Sequence, residues 1–334
     1  MQVRQTRGKG LESNLENTAS IYFPTMPDSP ALHARDLDEV AVQRTLRKLA
    51  SQAQAPWLHQ EVARRMAERL AIIKLKPARV VDWWSFTGAG AEILTSAYPT
   101  AQRTEVEPSA ALMLRSQQAH VKPWWALRRS EADRAAVVAD DAFEAALTEP
   151  AQLVWANMML HAVANPPALL ARWQRALSVD GFVMFSCLGP DTLRELSALY
   201  RRVGWPTPTM NFVDMHDLGD MLVRAGFADP VMDQEVLKLS WADAAALLAE
   251  LKTWGGNAAP DRTVGLRTPR WKYRLEAELN ELKAADGRIY LSFEIAYGHA
   301  FKAAPRTLPA TQTEISLDSM RGLVRAGGKH PQGF

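Results

Sequence analysis

The chain has 334 residues, 47% of them apolar, and its 39 lysines and arginines nearly balance its 37 aspartates and glutamates. This length is sufficient for one domain of about 200 to 250 residues with a sizeable core, together with extra segments. A formal net charge of +2 argues against a protein whose main task is to bind nucleic-acid phosphates or an anionic membrane surface.

The location of the protein is predicted from segments that the sequence lacks. Its apolar stretches are all shorter than the about 18 to 20 residues that a membrane span needs, and the N-terminus has no apolar signal-peptide core. The single cysteine, Cys187, lies in the apolar run 181–188 and is predicted to be a buried strand residue in a reducing compartment. We therefore expect a cytoplasmic protein.

The two ends of the chain are predicted to be flexible, with one domain between them. Residues 1–34 form an arm that mixes Pro, Ser, Asn and charged residues, and residues 303–334 form a tail interrupted by Pro and Gly. Within the domain, 35–302, two amphipathic helices come first, over 41–52 and 57–75, because apolar residues recur there at helical spacing.

Strand-like and helix-like segments then alternate, which favours a parallel sheet covered by helices. The predicted strands are 78–83, 103–107, 135–139, 153–157 and 181–188, and the predicted helices begin near Gly88, at Pro108 and at Pro166. They are followed by a helix from Asp214 to Gly226, a strand over 230–239, helices over 241–254 and 269–284, and a last strand over 288–301. The sequence thus predicts an α/β fold with a Rossmann-like sheet of seven strands and a helical lid, about 241–285, inserted before the last strand.

The turn after the first strand, over 82–90, is the first candidate for a ligand site. In an open parallel sheet, ligands bind at the carboxyl ends of the strands, where the first strand turns into its helix through a loop that contains glycine. Gly88 and Gly90 permit close approach of backbone to a ligand, and the helix that they open favours an anion. An ordinary strand-to-helix turn explains the same residues equally well.

Three acids and two further polar residues follow the next strands. Glu107 ends the second strand at about the spacing from Gly88 that nucleotide sites show, so it is predicted to bind ribose hydroxyls, or else to complement the helix that follows. Asp140, preferred over Asp141, is predicted to receive an adenine amino group, or else to cap a helix.

Asn157 and His161 lie just beyond the fourth strand, at the same predicted edge of the sheet. A side chain there can face the reacting group, and His161 is the candidate catalytic residue. The alternative for His161 is a histidine that is merely packed or faces solvent. We predict no metal site.

Two long segments, LVWANMMLHAVANPPALLARWQRALSVDGFVMFSCLGPDTLREL at 153–196 and DMHDLGDMLVRAGFADPVMD at 214–233, resemble BioC-type malonyl-acyl-carrier-protein O-methyltransferases. The likeness extends more weakly from Asp36 to Phe301, so it includes the two leading helices and the closing strand. It implies the fold of the methyltransferases that depend on S-adenosylmethionine (AdoMet).

Members of this family bind AdoMet through an Asp-x-Gly-x-Gly-x-Gly loop, an acid that ends strand 2, an acid after strand 3 and the backbone beyond strand 4. The positions in this chain that match in kind are Asp82, Gly88, Glu107, Asp140 and Asn157. The chain departs from the pattern at the first two glycines, which are replaced by Trp84 and Phe86. Side chains at those positions strain the backbone or occupy the space of the methionine moiety.

The resemblance implies methyl transfer from AdoMet to the free carboxylate of malonyl-acyl carrier protein, an early step of biotin synthesis. In this reading Arg262, which matches a basic position of relatives, or Arg270 contacts the substrate carboxylate. Solvated arginines in a loop are the alternative. The acidic carrier protein would dock on a positive surface, for which Lys122, Arg128, Arg129 and Arg134 are the candidates.

Two alternatives to the methyltransferase remain open at this point. The first is a protein that keeps the fold without the activity and acts as an interaction or regulatory module, for which Trp83, Trp84 and Phe86 are the main argument. The second is a relative of the family members that hydroxylate a protein arginine during respiratory-complex assembly, in which AdoMet is bound and methylation is not the outcome.

Overall fold

The computed structural model describes residues 36–120, 135–263, 265 and 267–304. Its elements follow in this order: α1 Glu39–Ala50, α2 Trp57–Leu70, β1 Arg79–Trp83, α3 Ser85–Gly88, α4 Ala91–Ala97, β2 Gln102–Glu107, α5 Ala110–Ala119, β3 Ala136–Ala139, α6 Phe143–Ala146, β4 Ala151–Ala156, α7 Pro166–Ala176, β5 Leu177–Leu188, α8 Arg194–Arg202, α9 Met215–Arg224, β6 Phe227–Trp241, α10 Ala244–Leu251, α11 Pro269–Asn280 and β7 Ile289–Lys302. The predicted arm and the basic residues from Lys122 to Arg134 lie outside this description, as does most of the predicted tail.

All seven strands form one sheet in the order β3-β2-β1-β4-β5-β7-β6. The strands β1 to β5 are parallel to one another, whereas β7 runs antiparallel to both β5 and β6. The predicted sheet of seven strands is therefore confirmed, and α10 and α11 are the helices inserted before the last strand.

The central strands β1, β4 and β5 are buried on both faces because helices cover both sides of the sheet there. Val81 and Val154 belong to one core cluster, which the helices α5, α7 and α9 cover. Val80 and Leu153, one residue earlier in each strand, belong to the other cluster, which α2, α4, α8, α10 and α11 cover. Burial on both faces explains why these strands read as continuous apolar runs in the sequence.

Two features of the sequence-based prediction differ from the structure. The helix α8 was missed, since its sequence RELSALYRR is mostly polar and only Leu196, Leu199 and Tyr200 turn inward. The helix predicted near Gly88 is interrupted, because Ala89 adopts a left-handed conformation between α3 and α4. In the described part of the chain, no helix is long and apolar enough to cross a membrane.

The carboxyl ends of β1 and β4 mark the point at which successive strands diverge to opposite sides of the sheet. Such a switch point opens a crevice at the sheet edge, where ligands bind in this class of fold. The loop after β1 enters this crevice, and Gly90 anchors its far end. A Cβ on Gly90 would lie 2.7 Å from Nε1 of Trp155 and 2.9 Å from each carboxylate oxygen of Asp82.

We expect Gly90→Ala to lower the free energy of unfolding by about 1 to 3 kcal/mol, because the added methyl group meets two buried side chains that have no room to retreat. Gly219→Ala is the matched control, since a Cβ there is 3.5 Å from its nearest neighbour and lies inside α9. The control should gain about 0.5 to 1 kcal/mol from helix propensity. Urea unfolding of the two variants measures both values, and equal stability of the two would contradict the expectation.

Candidate functional site

A cavity of about 770 Å³ lies at the carboxyl edge of the sheet, and we call it the edge cavity. Its walls come from the ends of β2 and β3, from the segment after β4 and from α1. Glu107, Asp140 and Trp84 are all in its lining. The structure therefore brings together three of the positions that the sequence analysis singled out.

Glu107 is held in the wall of the edge cavity by two hydrogen bonds to one oxygen. Its Oε1 accepts from the backbone N–H of Phe86 at 2.7 Å and from the hydroxyl of Ser116 at 2.6 Å. Within the described residues, Oε2 is buried and has no hydrogen-bond partner. Burial raises the pKa of Glu107 to about 8. An unsatisfied buried carboxyl oxygen of this kind can form a hydrogen bond with a hydroxyl group of a ligand.

Asp82 lies beneath the loop and is fully buried. Its Oδ2 accepts a hydrogen bond from the hydroxyl of Ser85 at 2.6 Å. Burial, followed by the nearby charge of Glu105, raises the pKa of Asp82 to about 7. The carboxyl group therefore anchors the start of the loop from below and is not in the lining of the edge cavity.

Trp84 occupies the first glycine position of the family loop and keeps the backbone conformation that favours glycine. Its φ is 56° and its ψ is 51°, in the left-handed region that costs a residue with a Cβ roughly 1 to 2 kcal/mol. The backbone N–H of Trp84 donates to Val106 O at 2.7 Å, which fixes the turn against β2. Its indole is in the lining of the edge cavity.

The other two aromatic residues of the loop point elsewhere. Trp83 is buried in the core, where its ring centroid lies 4.8 Å from that of Phe143 and 5.8 Å from that of Trp173. Phe86 is covered by the guanidinium of Arg115, which stands 5.1 Å from the ring centroid. Of the three rings, only that of Trp84 faces the candidate ligand space.

Asn157 is placed to hold the loop in position. Its Nδ2 donates to the carbonyl of His59 at 2.8 Å and to that of Gly88 at 2.6 Å, and its Oδ1 accepts from the hydroxyl of Ser186 at 2.6 Å. These bonds join α2, α3 and β5. A Cβ on Gly88 would lie 3.3 Å from Asn157 O, so the loop and the end of β4 are also in close contact.

Asp140 is engaged by a cation of α7. Its Oδ1 accepts from Nη1 of Arg172 at 2.6 Å, and its carbonyl accepts from Nη2 of the same guanidinium at 2.7 Å. Asp141, the neighbour that the sequence analysis ranked second, is exposed and is also in the lining of the edge cavity. Both carboxylates are therefore at the expected end of β3.

A second cavity, of about 500 Å³, lies beneath the helices α10 and α11, and we call it the lid cavity. Its lining is mainly apolar and includes Leu196, Tyr200, Leu248, Trp271 and Leu275. Such a cavity is suited to an uncharged chain with few polar groups.

A narrow space of about 50 Å³ lies between the two cavities, and we call it the junction. It shares Trp84 with the edge cavity, and it shares His59, Met158 and His161 with the lid cavity. His161 is therefore at the point where a group from one cavity can meet a group from the other.

The hydrogen bonds of His59 and His161 assign them opposite tautomers. Nδ1 of His59 lies 2.8 Å from Thr87 O, which can only accept, so that nitrogen carries the proton. The backbone N–H of Leu188 donates to Nδ1 of His161 at 3.4 Å, so the proton of the neutral His161 ring is on Nε2. Burial lowers the pKa of His59 to about 4, which keeps it neutral.

His59 was missed at the sequence level. It lies on the buried face of α2, and nothing in the helical pattern WLHQEVARRM distinguishes a histidine that faces a cavity from one that packs in the core. Only the fold, which brings α2 beneath the loop after β1, places it at the junction.

Arg262 and Arg270, the predicted substrate-binding residues, are not in the lining of the lid cavity. The basic residues in that lining include Arg267 and Lys272. Arg262 forms an ion pair with Asp38 at 2.5 Å and donates to Ala259 O at 2.9 Å, which ties the lid to the start of α1. Arg270 is exposed near the start of α11. A role for either in substrate binding stays a prediction. No cluster of three or more possible metal ligands occurs in the ranges that the structure describes.

Comparison with known proteins agrees with this geometry. A family model described as a methyltransferase domain matches residues 54–229, which include β1 to β5 and the loop of Trp84. The malonyl-acyl-carrier-protein O-methyltransferase of Laribacter hongkongensis (strain HLHK9) is 41% identical over 280 residues, which cover 83% of this chain and 92% of that protein. The protein of the same name from Gallionella capsiferriformans (strain ES-2) is 38% identical over 250 residues, which cover 75% and 85%.

The two buried acids generate a prediction for the pH dependence of stability. A carboxyl group whose pKa is raised on folding, from 4.5 to about 8 for Glu107, binds its proton more tightly in the native state. Stability should then fall as the pH rises through that window, by up to about 1.4 kcal/mol per pH unit for each such group.

Glu107→Gln and Asp82→Asn mimic the protonated forms and should each flatten this dependence. Urea unfolding at pH 5 and pH 8 measures it, with Glu281→Gln, at an exposed carboxylate, as the matched control. A fall in stability between the two pH values that is equal in the control and in the two buried-site variants would contradict the assignment.

Proposed function

This chain belongs to the family of malonyl-acyl-carrier-protein O-methyltransferases, and on that premise we propose that it transfers a methyl group from AdoMet to the free carboxylate of malonyl-acyl carrier protein in biotin synthesis. The observation that carries the proposal is the arrangement of the cavities. A cavity with acids in its wall meets an apolar cavity at a junction flanked by His59 and His161.

The edge cavity fits the adenosine half of AdoMet. Oε2 of Glu107 is a buried carboxyl oxygen without a partner in the described residues, and a hydrogen bond with a ribose hydroxyl would satisfy it. Asp140 and Asp141 lie at the end of β3, where a carboxylate or backbone group receives the adenine amino group. We therefore assign ribose binding to Glu107, and adenine binding to the segment of Asp140 and Asp141.

The methionine half must lie near the loop after β1. Gly88 and Gly90 keep the backbone compact there, Asp82 supports the loop from below, and Asn157 fixes it against β4. In this assignment Asp82 and Asn157 act through the loop and do not touch the ligand. The indole of Trp84 stands beside the path from the edge cavity to the junction.

The lid cavity fits the acceptor side of the reaction. Its apolar lining can hold the uncharged part of the arm that carries the malonyl thioester. The carboxylate would then lie at the junction, beside the ring of His161. His59 is neutral and its Nε2 carries no proton, so this nitrogen would repel a carboxylate that approached from the opposite side.

The chemistry requires little from the protein beyond position. AdoMet supplies, when bound, a methyl group on a positively charged sulfur. A malonyl carboxylate is ionised at neutral pH and is a nucleophile without further activation, so no general base is needed. The residues of the junction would orient the carboxylate, and the apolar lid would exclude water, which strengthens attraction between charges. His161 is in this reading a binding residue and not a proton acceptor.

The direct test is to incubate the purified chain with AdoMet and malonyl-acyl carrier protein and to measure the product by mass spectrometry. We expect the mass of one methyl group, removable by mild ester hydrolysis, and a rate that shows no acidic limb between pH 6 and 8 because the acceptor stays ionised. Acetyl-acyl carrier protein is the control, since it has the same arm and no free carboxylate.

Methylation of the acetyl form, or none of the malonyl form by a protein that binds S-adenosylhomocysteine, would refute the proposed acceptor. A folded chain that does not bind S-adenosylhomocysteine would favour the rival reading of a methyltransferase fold that acts as an interaction module. Binding without methylation of malonyl-acyl carrier protein would favour a relative that uses AdoMet for another purpose.

Trp84 gives a second prediction. Its indole borders a junction of only about 50 Å³, so Trp84→Ala should widen the way for the methionine moiety and tighten the binding of AdoMet by about threefold to tenfold. Phe86→Ala is the matched control, because it removes a ring of the same loop that packs under Arg115. Isothermal calorimetry measures both, and weaker binding by Trp84→Ala alone would show instead that the indole stacks on the ligand.

A further inference from the structure

Two arginines and two tryptophans form a continuous stack on the outer side of the lid, and we call it the arginine–tryptophan stack. The guanidinium carbon of Arg267 lies 3.6 Å from the ring centroid of Trp271. The centroids of Trp271 and Trp205 are 5.4 Å apart, and the guanidinium carbon of Arg274 lies 5.3 Å from the centroid of Trp205. The stack joins α11 to the segment that follows α8.

The charges of the stack are not neutralised by carboxylates. Neither Arg267 nor Arg274 has an ion pair within the residues that the structure describes, and both are exposed. The nearest acids on α11 have other partners, since Glu278 pairs with Arg202 and Glu276 with Lys272. A guanidinium that lies over an indole uses its face for that contact, and its N–H donors in the plane stay free for an anion.

The stack is placed at the way out of the lid cavity. Arg267 and Trp271 are in the lining of that cavity and also in the lining of a groove of about 340 Å³ on the outer side. Trp205, Pro206, Thr263 and Thr268 complete the lining of the groove. A ligand chain that begins in the lid cavity and leads to solvent along this groove therefore passes the guanidinium of Arg267.

We propose that the arginine–tryptophan stack binds the phosphate group of the 4′-phosphopantetheine arm that carries the acyl group. This inference rests on the proposed function, since the arm is the part of an acyl carrier protein that delivers the thioester. The arm has an uncharged chain at its thioester end and a single phosphate at its protein end. The apolar lid cavity and the guanidinium of Arg267, which also lines the outer groove, follow the same order.

The surroundings of the stack favour one compact anion over an acidic protein surface. Glu276 and Glu278 follow Arg274 on α11, and although each is paired with a cation, they keep the surface beside the stack from being uniformly basic. The guanidinium of Arg267, which is in the groove lining, offers paired N–H groups to a tetrahedral oxyanion, and Arg274 adds positive charge at the other end of the stack. The rim of the carrier protein would contribute less than the phosphate itself.

The test compares the binding of free 4′-phosphopantetheine with that of pantetheine, which lacks the phosphate, by calorimetry on the full chain. We expect the parent protein to bind the phosphorylated compound about tenfold more tightly, from charge-assisted hydrogen bonds to an exposed site. In Arg267→Ala/Arg274→Ala the two compounds should bind equally. If the alanine variant does not fold, Arg267→Gln/Arg274→Gln replaces it, because glutamine keeps a flat group on each indole without the charge. The two compounds should bind this variant equally as well.

The matched control is Arg175→Ala/Arg224→Ala, which removes the same charge from exposed positions on α7 and α9, at the other face of the sheet. It should keep the preference for the phosphorylated compound. Equal binding of the two compounds by the parent protein, or a preference that survives in the stack variants, would overturn the proposal. The binding of these two compounds does not depend on methyl transfer. If the parent protein prefers the phosphorylated compound but does not methylate malonyl-acyl carrier protein, the proposed function is refuted and the phosphate site is not.

Discussion

The candidate site depends on one buried amide. Asn157 bonds to the carbonyls of His59 and Gly88 and to the hydroxyl of Ser186, so it ties a leading helix, the loop after β1 and strand β5 to the end of β4. Each of these partners is buried, and a buried polar group without a partner costs about 1 to 3 kcal/mol. These bonds hold His59, which lines the lid cavity, and the loop that borders the edge cavity to the end of the same strand.

The loop after β1 carries aromatic residues at two positions where the family has glycine. Trp84, at the first glycine position of the family's loop, adopts a left-handed conformation, and its side chain belongs to the core cluster that also contains Leu46 of α1 and Val81 of β1. The backbone N–H of Phe86 donates a hydrogen bond to the carboxyl group of Glu107, and this bond between the loop and the acid does not need a glycine at position 86. The replacements of glycine by Trp84 and by Phe86 therefore affect the ligand space differently. One of them borders ligand space, and the other is covered by Arg115.

The order of the elements and the acids at the strand ends could be predicted from the sequence, because alternating apolar runs and turn residues are local signals. The direction of a side chain within the loop could not be predicted, since Trp83, Trp84 and Phe86 read alike and only packing separates them. His59 and the arginine–tryptophan stack depend on contacts between distant segments. The ion pair of Arg262 with Asp38 likewise joins the lid to a helix more than two hundred residues earlier, and the local sequence of the lid contains no trace of it.

The two cavities divide the demands of the proposed reaction. Adenosine needs fixed acceptors, and the edge cavity provides them with carboxylates whose positions are set by hydrogen bonds to Phe86 and Arg172. An acyl arm needs apolar contact and a cation for its phosphate, which the lid offers on its inner and outer sides. Since the acceptor carboxylate is already ionised, the residues of the junction would only have to hold it in line with the methyl group and exclude water. In the proposed reaction, His161 would flank the carboxylate on one side and the neutral imidazole of His59 on the other.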